Sequence, residues 1–342
     1  MKSELGSVVN GIRFPYDLSD NDSFLKQSGY GPIKRVSFKL KVWQQTKAAE
    51  KRLKQSIDSG ECYYGPFKGE MGHFLAHTLP FLMYLHKHGV KIHYCGMELH
   101  KAYLVDDKGQ SLLHSFFGLR DFFHEVAPSS NSIKPPADVQ LEIDKFEALA
   151  IGSKKPFWNI GDDFYYWFVH RHWLGNGYTY LYNLSKVYQT ANENAICIFP
   201  RSKGAKESHN NGQSWDYVQL IERLKQHCDK VYVVGHPSQS LTIAAGDKVE
   251  LRITSDNAKI LEAAANSKLI ITQHSGINNL GEYLNKQVLI IYKGGKLISD
   301  IGSMNNTLLF RNYMHEKIPL QFAFTEEEVE LYVKTFIHEH NT

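Results

Sequence analysis

Residues 269–284 read LIITQHSGINNLGEYL: an apolar run of strand length, a short polar turn with one glycine, then a segment of helix spacing. A strand that feeds a helix through so short a turn is the repeating unit of a parallel sheet flanked by helices. The pattern extends to both sides. Residues 195–200, 230–234, 268–272 and 288–292 read as strands, and 215–227, 257–266 and 278–284 as the helices between them. In the first of these helices the apolar positions are Trp215, Val218, Leu220, Ile221 and Leu224. Thr325 and Glu328 have the spacing of a capping box and predict a terminal helix over residues 326–338.

The first half is less regular. Residues 35–42 alternate like a strand, 72–88 have helix length, and 90–95 read as a strand, which together predict a second α/β unit. An aromatic-rich stretch, 157–182, and a connector, 183–194, lie between the two. With 342 residues the chain exceeds a typical domain of about 100–200 residues. The expected division is one domain over 1–190, a second over 191–324, and a C-terminal helix in 325–342 packing back on the first.

Hydrophobic residues make up 42% and charged residues 22% of the chain, enough apolar material for two cores, which excludes a disordered or fibrous class. A net charge of +3 is too balanced for general nucleic-acid binding, so any anion site must be local. Cys62, Cys95, Cys197 and Cys228 are widely separated, which argues against a zinc ribbon or disulfide framework and for a reducing compartment. Residues 1–14 lack an apolar run of signal length, and no later run reaches the ~20 residues that span a bilayer. A soluble, at most peripheral, protein is expected.

Three segments carry candidate chemistry. In the turn of 273–279, backbone N–H groups and a helix start would face an anion, with Gly276 permitting close approach and Ser275 and His274 donating hydrogen bonds; a diphosphate is the natural guest. Asn278 belongs to the same turn. The competing reading is an ordinary N-cap serine. After the strand 195–200, Arg201, Lys203 and Lys206 place three cations at a strand's carboxyl end, where open α/β sheets collect ligands; the competing reading is a solvated basic loop. In the first half a glycine-punctuated loop brings Glu70 and His73 beside a ligand, where either would take a proton from a hydroxyl, with His77 one turn further on. These histidines equally fit plain polar helix positions.

Weaker signals complete the survey. Trp167 and Arg171, in the aromatic stretch, suit a sugar ring as well as they suit a domain-interface core. Residues 34–54 carry eight cations against Glu50, a patch for anionic lipid or an acidic acceptor if it is not simply a solvated face. Asp106-Asp107 reads as a turn rather than a metal site, and the His86/His88 and His170/His172 pairs lack a third ligand, so no metal is expected.

The segments Gly72-His73-Phe74-Leu75 with Leu79-Pro80, Phe199-Pro200-Arg201, and His274-Ser275-Gly276-Ile277-Asn278-Asn279 resemble the spaced signatures of GT-B glycosyltransferases of the family 61 type. The stretch from Cys197 to Gly294, with His77 to Pro80, is also similar to the ADP-heptose heptosyltransferases. The resemblance implies an α/β GT-B fold, two Rossmann-like domains facing a cleft. It implies a nucleotide-sugar donor held mainly by the second domain, a glycan or glycolipid acceptor held by the first, and inversion at the anomeric carbon without metal or cofactor. Phe74 stands where heptosyltransferases carry a catalytic Asp, which moves that role to His73 or Glu70; Gln213 replaces a frequent Lys, and His274 an Asp. The expected donor-diphosphate residues are Arg201, Lys203, Lys206, His274, Ser275, Gly276 and Asn278; the expected acceptor residues are His77, Trp167 and Arg171. The expected setting is polysaccharide biosynthesis in the cytoplasm, with peripheral contact at the inner membrane face as an option. A GT-B-fold sugar-nucleotide epimerase and a non-catalytic nucleotide- or glycan-binding protein are the alternatives.

Overall fold

The computed structural model describes residues 8–9, 12–13, 31–69, 71–122, 134–160, 177–200, 215–237, 240–241, 243–273, 275–291 and 320–340. Glu70, Trp167, Arg171, Arg201, Lys203, Lys206 and His274 lie outside these residues.

The first half opens with a long helix, α1 (Pro32–Ser59), which turns at Gly60 into β1 (Glu61–Phe67). Gly60 takes φ 65°, a conformation that glycine adopts without penalty. Next come α2 (Met71–His73), a π turn (Phe74–Thr78) and α3 (Leu79–Lys87), which run on as one rod. Pro80 explains the wide turn: it has no N–H to give the carbonyl four residues back, and the Leu79 N–H reaches Phe74 O instead. The unit continues with β2 (Lys91–Met97), β3 (Ser115–Leu119), α4 (Ala137–Gly152) and β4 (Phe157–Trp158). The four strands form a parallel sheet in the order β3-β2-β1-β4.

The expected strand over 35–42 is instead the amino-terminal part of α1. The apolar alternation there does not mark a buried face: the buried positions are Val42, Thr46, Ala49, Leu53 and Ser56, at helix spacing. Ser56 Oγ accepts a 3.0 Å hydrogen bond from the indole N–H of buried Trp158, fixing α1 against the sheet.

A short helix, α5 (Ser185–Tyr188), leads into the second half: β5 (Ala195–Phe199), α6 (Tyr217–Leu224), β6 (Lys230–Gly235), β7 (Val249–Ile253), α7 (Asn257–Asn266), β8 (Leu269–Gln273), a 3₁₀ turn (Gly276–Asn279), α8 (Leu280–Leu284), β9 (Gln287–Ile291), β10 (Leu320–Ala323) and α9 (Glu326–Glu339). All six strands are parallel, in the order β10-β9-β8-β5-β6-β7. In order of appearance this is 3-2-1-4-5-6, read from the β7 edge, the doubly wound Rossmann order. β5 and β8 are buried along their whole length, as central parallel strands covered on both faces must be. Asp216 and Asp256 cap α6 and α7, each accepting a backbone N–H at 3.0 Å. Val218 faces outward, so α6 buries Tyr217, Leu220, Ile221 and Leu224.

Among the described residues, the terminal helix packs on the second half and not on the first. α9 buries Val329, Val333 and Ile337 in the same core as Leu220, Ile221 and Leu224 of α6. His227 and Arg223 face Glu330, at 3.3 and 3.5 Å, and Lys268 Nζ donates to His340 O at 2.9 Å. Its apolar face matches α6, which would otherwise be left uncovered.

Three contacts orient the halves. Asn257 Nδ2 after β7 donates to Leu99 O after β2. His236 after β6 lies 3.7 Å from Asp121 after β3. Gly276 after β8 meets Gly72 after β1. Every one joins a carboxyl strand end of one sheet to a carboxyl strand end of the other. The two Rossmann-like units therefore face each other across a cleft, the GT-B arrangement.

Candidate functional site

The second sheet places the candidate anion site. Its chain order reverses between β5 and β8: β6 and β7 are laid down on one side of β5, and β8, β9 and β10 on the other. Ligands of open α/β sheets bind at that reversal, beyond the carboxyl ends of the strands. Thr272 pairs with Phe199 in register. The chain thus leaves the described part of β5 toward Arg201, and leaves β8 toward Ser275, from adjacent strands at one edge.

The turn after β8 is held by its own residues. Ser275 Oγ accepts the Ile277 N–H at 3.3 Å, and Asn278 Oδ1 accepts the Ser275 N–H at 3.4 Å, a reciprocal capping box. Thr272 Oγ1 lies 3.2 Å from Ser275 Oγ and ties the cap to the strand. Ser275 is thus an N-cap as well as a candidate ligand residue. Gln273 before the turn, Asn278 and Asn279 within it and Glu282 after it are all buried.

Gly276 meets the backbone of the other half. A Cβ there would fall 2.3 Å from both N and Cα of Gly72, and a Cβ on Gly72 would fall 3.0 Å from Gly276 Cα. The glycine that suits a close approach to phosphate makes its close approach to the start of α2.

That contact brings His73 to the same place. His73 is half-buried, and loss of solvent lowers its pKa from 6.5 to about 4, so the imidazole is neutral at pH 7. The His77 ring lies edge-on to it, centroids 6.1 Å apart, in the π turn. His77 has no exposed surface in this structure. The Tyr283 hydroxyl of α8 donates to Leu75 O, and the Leu184 N–H donates to Tyr283 O at 2.8 Å. Leu75, Leu79, Leu280, Tyr283 and Leu284 share one apolar core that runs through the junction.

Two residues at this junction carried no sequence signal of their own. Glu282 is buried in α8 four residues after Asn278, on the same helix face. His100, in a 3₁₀ turn after β2, is fully buried and stacked on Phe74 with ring centroids 4.1 Å apart. Neither His100 nitrogen has a hydrogen-bond partner among the described residues, and burial lowers its pKa to about 3. A cavity of about 320 Å³ opens nearby between Glu98, Lys101 and Asp256, in the same interdomain cleft. Asp106 is occupied by its turn, accepting the Lys108 and Gln110 N–H groups at 2.9 and 2.8 Å.

No family model matches this chain, and no curated protein matches it. Solved structures do. The E. coli heptosyltransferase WaaC with ADP-2-deoxy-2-fluoro heptose is 12% identical with a TM-score of 0.47, over 82% of this chain and 99% of that one. The E. coli ADP-heptose lps heptosyltransferase II is 9% identical with a TM-score of 0.47, over the same shares.

Proposed function

We propose that the protein is an inverting, metal-independent glycosyltransferase that moves a sugar from a nucleotide-sugar to a hydroxyl of a glycan or glycolipid. One observation carries the reading: the strand-end turn at the reversal of the second sheet abuts the His73-bearing helix start of the first half, through Gly72 and Gly276.

In this reading the donor diphosphate lies beyond the carboxyl ends of β5 and β8. Arg201, Lys203 and Lys206 neutralise it, with His274, Ser275, Gly276 and Asn278 forming the wall behind. Cations and fixed N–H groups do the work that a metal does elsewhere, stabilising charge as it develops on the leaving group. The acceptor oxygen attacks the anomeric carbon from the side opposite the diphosphate. The new C–O bond forms as the bond to the diphosphate oxygen breaks, that oxygen keeps the electron pair, and the acceptor proton passes to the base. Base and leaving group must therefore lie on opposite sides of the sugar, which suits a base from the first half and a cradle from the second.

His73 and Glu70 are the candidate bases. His73 is neutral at pH 7 and so offers a lone pair, and the negative diphosphate opposite would stabilise the imidazolium formed when it takes the proton. His77, Trp167 and Arg171 are the remaining acceptor candidates. Closure of the cleft excludes water and limits donor hydrolysis.

A panel of nucleotide-sugars assayed in EDTA tests the proposal. Transfer or donor hydrolysis is expected, and either His73→Ala or Glu70→Ala should reduce kcat by roughly 10²–10⁴-fold, the range for loss of a general base. Full activity in both variants removes the base assignment. Tight nucleotide binding without turnover would make the protein a binder, and conversion of the donor into an isomeric nucleotide-sugar, with neither transfer nor hydrolysis, would make it an epimerase.

A further inference from the structure

The solvent face of α1 is the least expected surface of the molecule. Ile33, Val36, Leu40 and Trp43 are 87%, 67%, 53% and 58% exposed, four large apolar side chains in one segment of helix. Their spacing of three, four and three residues puts them on a single stripe. At 100° per residue that stripe lies roughly 140° round the helix from the buried face of Val42, Thr46, Ala49, Leu53 and Ser56. A helix that only covers a sheet shows polar residues on this side.

Cations surround the stripe. Lys47, Lys51 and Lys54 continue it along the same outward face, and Lys34, Lys39 and Lys41 flank it, all exposed. Across α1 only Glu50 and Asp58 oppose eight Lys and Arg residues. An apolar ridge bordered by lysines matches a surface that is apolar inside and anionic at its rim, which is the interface of a membrane carrying acidic lipid. A second copy of the same basic helix would meet like charge.

The stripe also has a definite position relative to the cleft. α1 has 28 residues, about 42 Å of helix, whereas β1 has seven, about 23 Å of strand. The single-residue connection at Gly60 makes the helix run back along the strand, so its surplus length projects beyond the carboxyl end of β1. Among residues 32–41 none is buried, as expected for a part of the helix with no sheet beneath it. The cleft opens at that same edge.

We propose that the amino-terminal turns of α1 dock the protein on an anionic membrane surface, with Ile33, Val36, Leu40 and Trp43 entering the interface and the lysines meeting the headgroups. The docking leaves the carboxyl edge of the first sheet, and with it the cleft, beside the bilayer. This inference is independent of the catalytic reading.

Flotation of the full-length protein with vesicles of phosphatidylcholine alone, or with phosphatidylglycerol added, tests it. Binding should increase about ten-fold or more with the acidic lipid and be lost in high salt, since exposed charge interactions are screened within ~3 Å at 1 M ionic strength. The double variant Leu40→Glu with Trp43→Glu should lose vesicle binding while keeping the wild-type melting temperature, because both side chains already face solvent. Equal binding by wild type and variant, or no binding to acidic vesicles, overturns the proposal. A wild-type dimer that the variant converts to monomer, without vesicle binding, overturns it in favour of a second copy as the occupant.

Discussion

The two turns that meet at the cleft are built on opposite principles. The Ser275–Asn278 turn satisfies its own backbone through a reciprocal cap tied to Thr272, and it ends a strand that is buried throughout. The Gly72–Thr78 segment departs from α-helical register, opens a π turn ahead of Pro80, and carries two histidines into a crowded, poorly solvated position. One side is a fixed wall, and the other holds titratable groups away from water. A wall suits a leaving group whose charge must be met without rearrangement, and a desolvated histidine suits a proton transfer.

The contrast is most directly broken where the turns touch. Gly276→Ala would place its Cβ 2.3 Å from two backbone atoms that cannot rotate away, and is expected to cost about 3 kcal/mol, the upper part of the range for overpacking. Gly72→Ala meets its neighbour at 3.0 Å and regains up to ~1 kcal/mol of helix propensity, so it should cost clearly less. Urea titration of both variants checks this, and equal costs would mean that the turns separate in solution.

The next effect is in pH. His73 and His100 have folded pKa values lowered to about 4 and about 3, against 6.5 when solvated. Between those values the unfolded chain binds protons that the folded chain does not, so this contribution is complete above pH 6.5 and is lost as pH falls through about 4 for His73 and about 3 for His100. Melting temperatures should drop over that window, and His100→Phe, which keeps the stack on Phe74, should flatten the drop. An unchanged slope in His100→Phe would contradict the burial assigned to this ring.

The smallest effect belongs to the cap of the second-half turn. Ser275→Ala removes a cap and should cost about 1 kcal/mol of stability. Its effect on diphosphate affinity should be smaller than that of Arg201→Ala, because Ser275 is uncharged and its hydroxyl proton is directed at Thr272 Oγ1, whose own proton goes to Gln273 O. A larger loss of affinity than for Arg201→Ala would reassign Ser275 as the principal phosphate donor.

How much of this was visible in the sequence follows from burial. β5 and β8 are covered on both faces, and β5 reads as an unbroken apolar run and β8 as one as far as Ile271; the turn after β8 and the Gly72-His73 helix start are equally plain. β7 was not, because an edge strand half in solvent carries Glu250 and Arg252 among its five residues. β1 was hidden by Gly65-Pro66, which sits where its pairing with β2 shifts register. α1 looked like a strand because Val36, Phe38, Leu40 and Val42 alternate, while the face it buries lies further along. The approach of Gly72 to Gly276 arises only when the two halves pack, and the burial of His100 only when its turn folds over Phe67 and Phe74, so no local pattern announces them.

The central claim is that the reversal between β5 and β8 holds a diphosphate. Calorimetric titration of ADP, UDP, GDP and CDP into the full-length protein in EDTA tests it most directly, alongside Arg201→Ala. The account predicts saturable binding of at least one nucleotide, weakened about 10- to 100-fold in the variant, as expected for loss of a charge-assisted hydrogen bond. Binding of none of the four, or equal binding by Arg201→Ala, would contradict it.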